Sequence, residues 1–584
     1  MAAVETLITD HLDLWTAALK RKSTAGRGSS SKVELYGIKK LRELILELAV
    51  RGLLLPQDPN DEPASELLKK IAAQKAKLVK ESTIKKDKPL PAISDEEEPF
   101  VVPHGWNWAR IADIGYDFGQ KTPNADFTYI DVGAIDNRLG LIDCPATLRA
   151  EDAPSRARKL VSRGTVIYST VRPYLLNVAI VQKDFDPEPI ASTAFAVVHP
   201  FEGVVSGYVY RYLRSPPFVS YVESVQTGIA YPAINDRQFF SGLIPLPPTA
   251  EQHRIVAKVD ELMALCDQLE QETDASLGAH QTLVETLLNA LTSAADHAQF
   301  ANAWQRIAGH FDTLFTTEES IAQLKQTILQ LAVMGKLVPQ DPNDEPASEL
   351  LKKIAAEKAK LIKEGKIKQE KPLPPIGHEE TPFALPARWK WVRMGDLFSF
   401  LNGYAFKSEW FSQGGIRLLR NVNISHGVIS WDDGAFIPVE KQEEFQRFLL
   451  SPGNIVISLD RPLISTGLKY AVLSENDTPC LLLQRVAKFA PILDFVDTKF
   501  LCLWLESIYF MGSIDPGRSN GVPHISTKQL ESTFFPLFSR SEQCRIVAKV
   551  NELMALCDQL KSRFNDAQTI QLHLADALVE RAIC

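Results

Sequence analysis

Ser215-Pro216-Pro217-Phe218 has the form of the tetrapeptide with which amino-methyltransferases hold the nitrogen of a base. That chemistry also needs an FxGxG-like cofactor loop, and none precedes the tetrapeptide. When Tyr212-Leu213 is matched to Trp504-Leu505 further along the chain, the equivalent place reads Ser507-Ile508-Tyr509-Phe510, without prolines. The tetrapeptide therefore reads as a helix-ending turn. No GxxxxGK[ST] loop occurs, which argues against ATP hydrolysis, and the eleven histidines show no HExxH or other ligand spacing.

Nucleic-acid chemistry has more candidates. Arg156, Arg158, Lys159, Arg163 and Arg172 make the most basic stretch of residues 98–248. They suit phosphate contacts, with one able to read guanine; a merely solvated face is the alternative. Farther on, NGYAFKS (402–408) and LRNVNISHG (419–427) offer Tyr404, Lys407, Arg420, Asn421 and Asn423. Asn can pair bidentately with adenine and Arg with guanine. Arg172 and Arg461 share an Arg-Pro landmark, GTVIYSTVRP (164–173) against GNIVISLDRP (453–462), which suits common backbone or phosphate contacts rather than base readers. The loop GRSNGVPH (517–524), with Arg518, is glycine-rich enough to approach a phosphate closely or to be an ordinary turn.

What must position these residues is a framework the chain contains twice. Residues 56–73, PQDPNDEPASELLKKIAA, recur unchanged at 339–356. RIVAKVDELMALCDQL (254–269) recurs at 545–560 with one change. Such repeats divide 584 residues into two half-proteins. The preserved parts are helical in pattern. Ile38, Leu41, Ile45 and Leu48 recur at helical spacing and are repeated by Ile321, Leu324, Ile328 and Leu331. Pro56 is expected to end the first of these helices, and Asp61 to cap the next. Ile255, Val259, Leu262, Cys266 and Leu269 step 4-3-4-3, as do Ile546, Val550, Leu553, Cys557 and Leu560. This is a coiled-coil seam, able to form a core or to dock a partner. The proline-free run from Glu251 to His297 allows about 70 Å of helix at 1.5 Å per residue. With no following helix for the C-terminal copy and no preceding one for the N-terminal helix, the simplest packing brings the chain ends together.

Between the repeats lie residues 98–248 and 381–540, alike only at landmarks: Trp106 and Trp108 against Trp389 and Trp391, the Arg-Pro pair, and PAIN (232–235) against PHIS (523–526). Preserved surfaces suit identical partners; diverged segments suit two different ligands. The expected fold class is α+β, with two α+β domains separated by long antiparallel coiled-coil helices in a pseudo-twofold internal repeat. The expected divisions are 1–97, an N-terminal extension and helical region; 98–248, the first variable domain; 249–380, a central helical spacer; 381–540, the second variable domain; and 541–584, a C-terminal helix. Residues 1–32 fall outside the repeat and receive no role.

Net charge is −8, yet residues 101–248 hold 13 basic and 14 acidic side chains and residues 383–540 hold 16 and 15. The diverged segments are near neutral, so DNA binding needs local basic patches or charge lent by a partner. No apolar run approaches the ~20 residues needed to span a bilayer. The N-terminus lacks a signal-peptide pattern, and the seven cysteines show no CxxC spacing. A cytoplasmic chain without membrane contact, disulfide or structural zinc is expected.

On the GKLVPQDPNDEPASELLKKIAAEKAKL stretch (335–361), the EQxRIVAKVxELMALCDQL stretches and the Pro-rich connectors KPLPAI (88–93) and KPLPPI (371–376), the chain resembles the specificity subunit (HsdS) of type I restriction-modification systems, nearest their IB branch. The resemblance covers nearly the whole chain. It implies two target-recognition domains, each reading half of a split, asymmetric sequence in double-stranded DNA. It implies helical regions that dock two methyltransferase subunits and, through them, motor-nuclease (restriction) subunits. The chain itself would be non-catalytic; S-adenosylmethionine, ATP and Mg would be held by the partner subunits. A self-contained DNA adenine methyltransferase and a coiled-coil scaffold are the alternatives.

Overall fold

The computed structural model describes residues 7–21, 33–84, 90–365, 375–514 and 524–583. The chain divides into two compact units: Met1–Leu277 with Asp566–Cys584, and Gly278–Asn565. Each contains one helical set and one sheet-rich domain.

In the first unit the helix Tyr36–Val50 buries Ile38, Leu41, Ile45 and Leu48. It packs antiparallel to the 45-residue helix Thr249–Ser293: Arg42 reaches Asp267 and Glu270, while Gln57, beyond the helix end, reaches Glu251. The seam residues Ile255, Val259, Leu262 and Cys266 are all buried in this core, at roughly 1.5–3 kcal/mol for each large side chain fully withdrawn from water. In the second unit the helix Glu318–Val333 pairs in the same sense with Arg540–Ile583, through Lys325 to Asp558 and Lys561 to Glu318.

Three local expectations are corrected. The first helix stops at Val50 because Gly52, at φ +71°, closes a left-handed turn in which the Leu53 N–H reaches the Leu48 carbonyl at 2.9 Å; Pro56 plays no part. Gly335, at φ +70°, does the same for the second copy. Asp61 does not cap the helix Ala64–Lys80, whose N-cap is Pro63; its carboxylate receives Arg254 at 2.5 Å instead. Residues 1–32 are not wholly outside the repeat either. Ile8, His11 and Trp15 correspond to Ile307, His310 and Leu314. Both histidines break the chain with nearly the same φ and ψ before a short helix, Leu12–Ala17 or Phe311–Leu314, and Ile8, Trp15, Ile307 and Leu314 are all buried.

The meeting of the chain ends is found inside the first unit. Ala575 is buried beside the Tyr36–Val50 helix, and the Tyr36 hydroxyl donates to Asp576 at 2.8 Å. In the second unit Val284, Leu288 and Leu291 occupy the corresponding place against Glu318–Val333.

The two diverged segments share the topology of their main sheets and differ in one hairpin each, Ile135–Asp136 with Leu141–Ile142 in the first and Leu463–Ile464 with Gly467–Leu468 in the second. In the first, a four-stranded antiparallel sheet runs in the order Val178–Ile180, Val166–Ser169, Phe195–Pro200, Gly115–Tyr116. A second runs Ala146–Leu148, Phe127–Ile130, Pro189–Ser192, Ala157–Leu160, with its middle pair parallel. The other domain repeats both: Tyr470–Val472, Ile455–Ser458, Val486–Pro491, Phe398–Asn402; and Phe436–Ile437, Ile416–Leu419, Cys480–Leu482, Leu449–Leu450, again with a parallel middle pair. Asn107–Arg110 pairs with Leu243–Leu246, and Lys390–Arg393 with Phe534–Leu537, where each domain joins its helices.

Candidate DNA interface

At one end of each sheet pair the chain turns through the Arg-Pro landmark. Arg172 and Arg461 sit in the left-handed region, at φ +49° and +48°. That conformation costs a non-glycine residue about 1–2 kcal/mol and persists only where the surroundings impose it. The imposing contacts are the same in both domains. Ser169 Oγ donates to the Val171 carbonyl at 2.9 Å and Ser458 Oγ to that of Asp460 at 2.7 Å. The N–H of Thr170 reaches the Ala194 carbonyl, and that of Leu459 the Arg485 carbonyl, both at 2.8 Å. Val171 bridges to Ala233, and Asp460 to His524. Both turns thereby present an exposed arginine.

The side chains around the two arginines differ. In the first domain the Arg172 guanidinium lies 4.9 Å over the ring of Tyr231. Val171, Tyr174, Leu175 and Ile229 add exposed apolar surface. In the second domain Asp460 accepts from Arg485 at 2.9 Å and faces His524 at 3.0 Å, beside an open cleft of about 540 Å³. Asn421, Arg461 and Lys469 also line that cleft. Burial lowers the Lys469 pKa, and its ammonium is held by the Asn421 carbonyl at 2.5 Å.

The residues expected to touch DNA separate into groups. Arg156, Arg163, Arg172, Lys407 and Arg461 are exposed. Arg158 is half-buried and donates to the Ala157 carbonyl at 2.8 Å. Asn421 is half-buried at the cleft, and Lys407 stands over the Trp410 ring at 5.6 Å. Arg518 lies outside the described residues, with most of its loop.

Lys159 and Asn423 are corrected as DNA contacts, while Tyr404 and Arg420 are half-buried with partners inside the domain. Lys159 is buried, its ammonium between Asp117 at 2.6 Å and Asp236 at 2.9 Å, so its charge is spent inside the fold. Burial alone would lower its pKa; the hydrogen bonds and charges of the two carboxylates carry it above the ordinary lysine value. Asn423 is buried and ties a turn together, donating to the carbonyls of Ser430 and Asp433. Tyr404 packs among Phe406, Phe445 and Phe448. Arg420 pairs with Asp433 at 3.0 Å. Nothing local in the sequence singles out Arg485 or His524 beside Asp460. The one available signal was the aspartate standing immediately before the Arg-Pro landmark.

Ser215 does not form a catalytic tetrapeptide. Its hydroxyl donates to the Tyr212 carbonyl at 2.7 Å, Pro216 opens the helix Pro216–Val225, and Phe218 is fully buried. Ser507 does the same toward the Trp504 carbonyl at 2.6 Å. The turn ends one helix, as expected, and starts another.

The helical seam is also turned inward. Ile255, Val259, Leu262, Ile546 and Val550 are buried, and Leu269, Leu553 and Leu560 are half-buried against the same cores. They form the core and leave a partner only the opposite faces. On separate helices, Ala64–Lys80 and Ala347–Lys363, the identical stretch carries the same exposed ion pairs twice: Lys69–Glu66 at 2.7 Å and Lys70–Glu62 at 2.6 Å, then Lys352–Glu349 at 2.8 Å and Lys353–Glu345 at 2.6 Å. Among the described residues no helix is long and apolar enough to cross a membrane.

No family model matches the chain. The type I restriction enzyme EcoAI specificity subunit of Escherichia coli is 54% identical over 588 residues, covering the full length of both chains. The EcoEI specificity subunit of the same organism is 40% identical over 596 residues, again over both full lengths. Of the solved structures, the HsdS subunit from Thermoanaerobacter tengcongensis aligns with 83% of this chain and 98% of its own, at 23% identity and a TM-score of 0.45. On its full-length identity to curated relatives, this chain belongs to the specificity subunits of type I restriction enzymes.

Proposed function

We propose that this chain recognises DNA sequence for a type I restriction-modification complex, reading a bipartite, asymmetric target with its two sheet domains. The observation that carries this reading is the contrast at the Arg-Pro turns. Both arginines keep the same left-handed conformation and the same serine, amide and bridge ties in both domains, while the side chains around them are apolar and aromatic in one and charged in the other. A shared framework with different chemistry suits two readers of two half-sites, because base edges are distinguished by donors, acceptors and methyl groups.

The repeated helical faces support docking of two methyltransferase subunits, one on each identical set, with motor-nuclease subunits joining through them. S-adenosylmethionine, ATP and Mg then belong to those partners. Base flipping falls to the methyltransferase, because a base must leave the stack before its amino group can be modified. This chain chooses where.

The test is to co-express the chain with its methyltransferase partner and map modified adenines by long-read sequencing. The expected result is methylation at one split motif, absent when this chain is omitted. Methylation unchanged by its omission would overturn the reading. Exchange of residues 98–248 for another family member's first domain is expected to alter one half-site only.

A further inference from the structure

Three positions of the second domain change together relative to the first. Asp460 stands where the first domain has Val171: each carbonyl accepts the hydroxyl of the serine two residues earlier. Arg485 stands where the first has Ala194, since each carbonyl accepts the amide of the residue before the Arg-Pro turn's bridging position. His524 stands where the first has Ala233, each bridged to the preceding pair member. A carboxylate, a guanidinium and an imidazole thus replace Val, Ala and Ala on one hydrogen-bonded frame.

The three side chains are arranged by depth. The Asp460 side chain is only 12% exposed, whereas those of Arg485 and His524 are 66% and 47% exposed. Asp460 uses one oxygen on Arg485, at 2.9 Å, and the other on His524, at 3.0 Å. A buried carboxylate holding one terminal nitrogen of an exposed guanidinium restrains the direction of the rest of its planar fork. Arg485 also occupies the left-handed region, at φ +71°, a conformation that costs a non-glycine residue energy and persists only where its surroundings impose it. Arg485 lines the cleft together with Arg461 and Asn421. A rigid pair of N–H donors matches the N7 and O6 acceptors of guanine in the major groove.

We propose that Arg485 is a guanine-reading side chain of the second domain, with Asp460 as the positioning residue that aims it and His524 as its flank. The first domain has no counterpart at these positions. There the exposed surface is Arg172 stacked on Tyr231, with Val171 and Ile229 beside it, and its half-site is read by other chemistry.

This inference rests on the DNA-recognition reading above. Its test uses the chain assembled with its methyltransferase partner and the wild-type motif mapped first. Failure of the wild-type complex to direct methylation would sink that reading; the outcomes below concern Arg485 alone. Binding is then measured on duplexes carrying 7-deazaguanine, which lacks N7, singly at each guanine of the target. One substitution, in one half-site, is expected to weaken the wild-type complex roughly 5- to 150-fold and to leave Arg485→Ala indifferent. Arg485→Ala should accept other base pairs at that position while the other half-site keeps its preference, which also shows that the variant is folded. Arg485→Lys keeps charge and stem but not the fork, and is expected to lose the same discrimination. Asp460→Asn should relax the same base pair.

Three results would overturn the proposal. Arg485→Ala could respond to every 7-deazaguanine as the wild type does. It could lose affinity equally for all sequences with a shallower salt slope, which marks a phosphate contact. Arg485→Lys could retain full discrimination, which would mark a point charge. Relaxation of a different base pair by Asp460→Asn would overturn its positioning role.

Discussion

Trp106 donates its indole N–H to the carboxylate of Glu251 at 2.8 Å, with both side chains buried and 145 residues between them. Trp389 and Glu542 repeat the bond at 3.1 Å. Each bond ties the residue just before the strand Asn107–Arg110 or Lys390–Arg393 to the first turn of a long helix, and Gln57 or Gln340 adds a second donor at 3.4 Å. This lock decides how rigidly each domain is presented by its helices.

Removal of the donor is expected to loosen it. Trp106→Phe keeps most of the ring but leaves a buried carboxylate oxygen short of a partner, a loss of about 1–3 kcal/mol. The measurement is the urea midpoint of the first unit. Trp389→Phe should cost a similar amount in the second, and because the two bonds share no partner the double variant should show the sum.

The same carboxylates give an inverted pH dependence. Burial raises the pKa of both Glu251 and Glu542, against the hydrogen bonds that lower it. The folded state therefore holds these protons more tightly than the unfolded chain. Their contribution to stability is full below the ordinary glutamate pKa and is lost as pH rises through the raised value. Glu251→Gln with Glu542→Gln keeps an acceptor without the charge. Its stability relative to wild type is expected to be greater at pH 7.5 than at pH 4.5, compared by denaturant midpoints. An equal difference at both pH values would contradict the assignment.

Gly52 and Gly335 cannot be replaced cheaply. A Cβ at Gly52 would lie 2.4 Å from Pro103 Cγ, and one at Gly335 2.7 Å from Pro386 Cγ, on top of their positive φ. Gly335→Ala is expected to lower the melting temperature of the second unit, with at least the ~1–2 kcal/mol of a left-handed alanine behind it.

Lys159 separates structure from DNA contact. Lys159→Met leaves Asp117 and Asp236 facing each other without their cation. The expected loss is about 3 kcal/mol, the low end for breaking a buried pair because Asp236 stays half-exposed. The slope of DNA affinity against salt should not change, whereas a phosphate contact would lower it by about one unit.

The repeated charged face should govern assembly. Lys69→Glu with Lys70→Glu reverses one copy of the exposed ion pairs and spares Lys352 and Lys353. Co-purification with the methyltransferase is expected to fall from two subunits per chain to one. Two retained subunits would remove this face from the docking surface.

Helical periodicity, the two repeats and the aromatic landmarks made the framework legible in sequence, because a period of 3.6 residues and exact repetition do not depend on distant contacts. Side-chain direction does depend on them. Lys159 and Arg158 lie in one basic run, but alternation along the strand Ala157–Leu160 turns Lys159 inward while Arg158 stays half-exposed. Asn423 resembled a base reader, yet a turn consumed all its hydrogen bonds. Arg485 sits in LLLQRVAKF, where nothing local distinguishes it; only the fold brings Asp460 and His524 to its sides. Ile8–Trp15 and Ile307–Leu314 share too few identities to align before their matching helix breaks are seen.

Arg254 holds Asp61, and Arg545 holds Asp344, within the preserved text on either side of each sheet domain. Both halves of this clasp lie outside the diverged residues, and the tryptophan that completes the fastening is present in both domains. Each helical set is thus a socket of one gauge, and each sheet domain a cassette cut to it. Recombination within the identical stretches would deliver a foreign cassette already fitted, or exchange the two present ones. A new target could then be acquired by shuffling, with no residue of the scaffold altered.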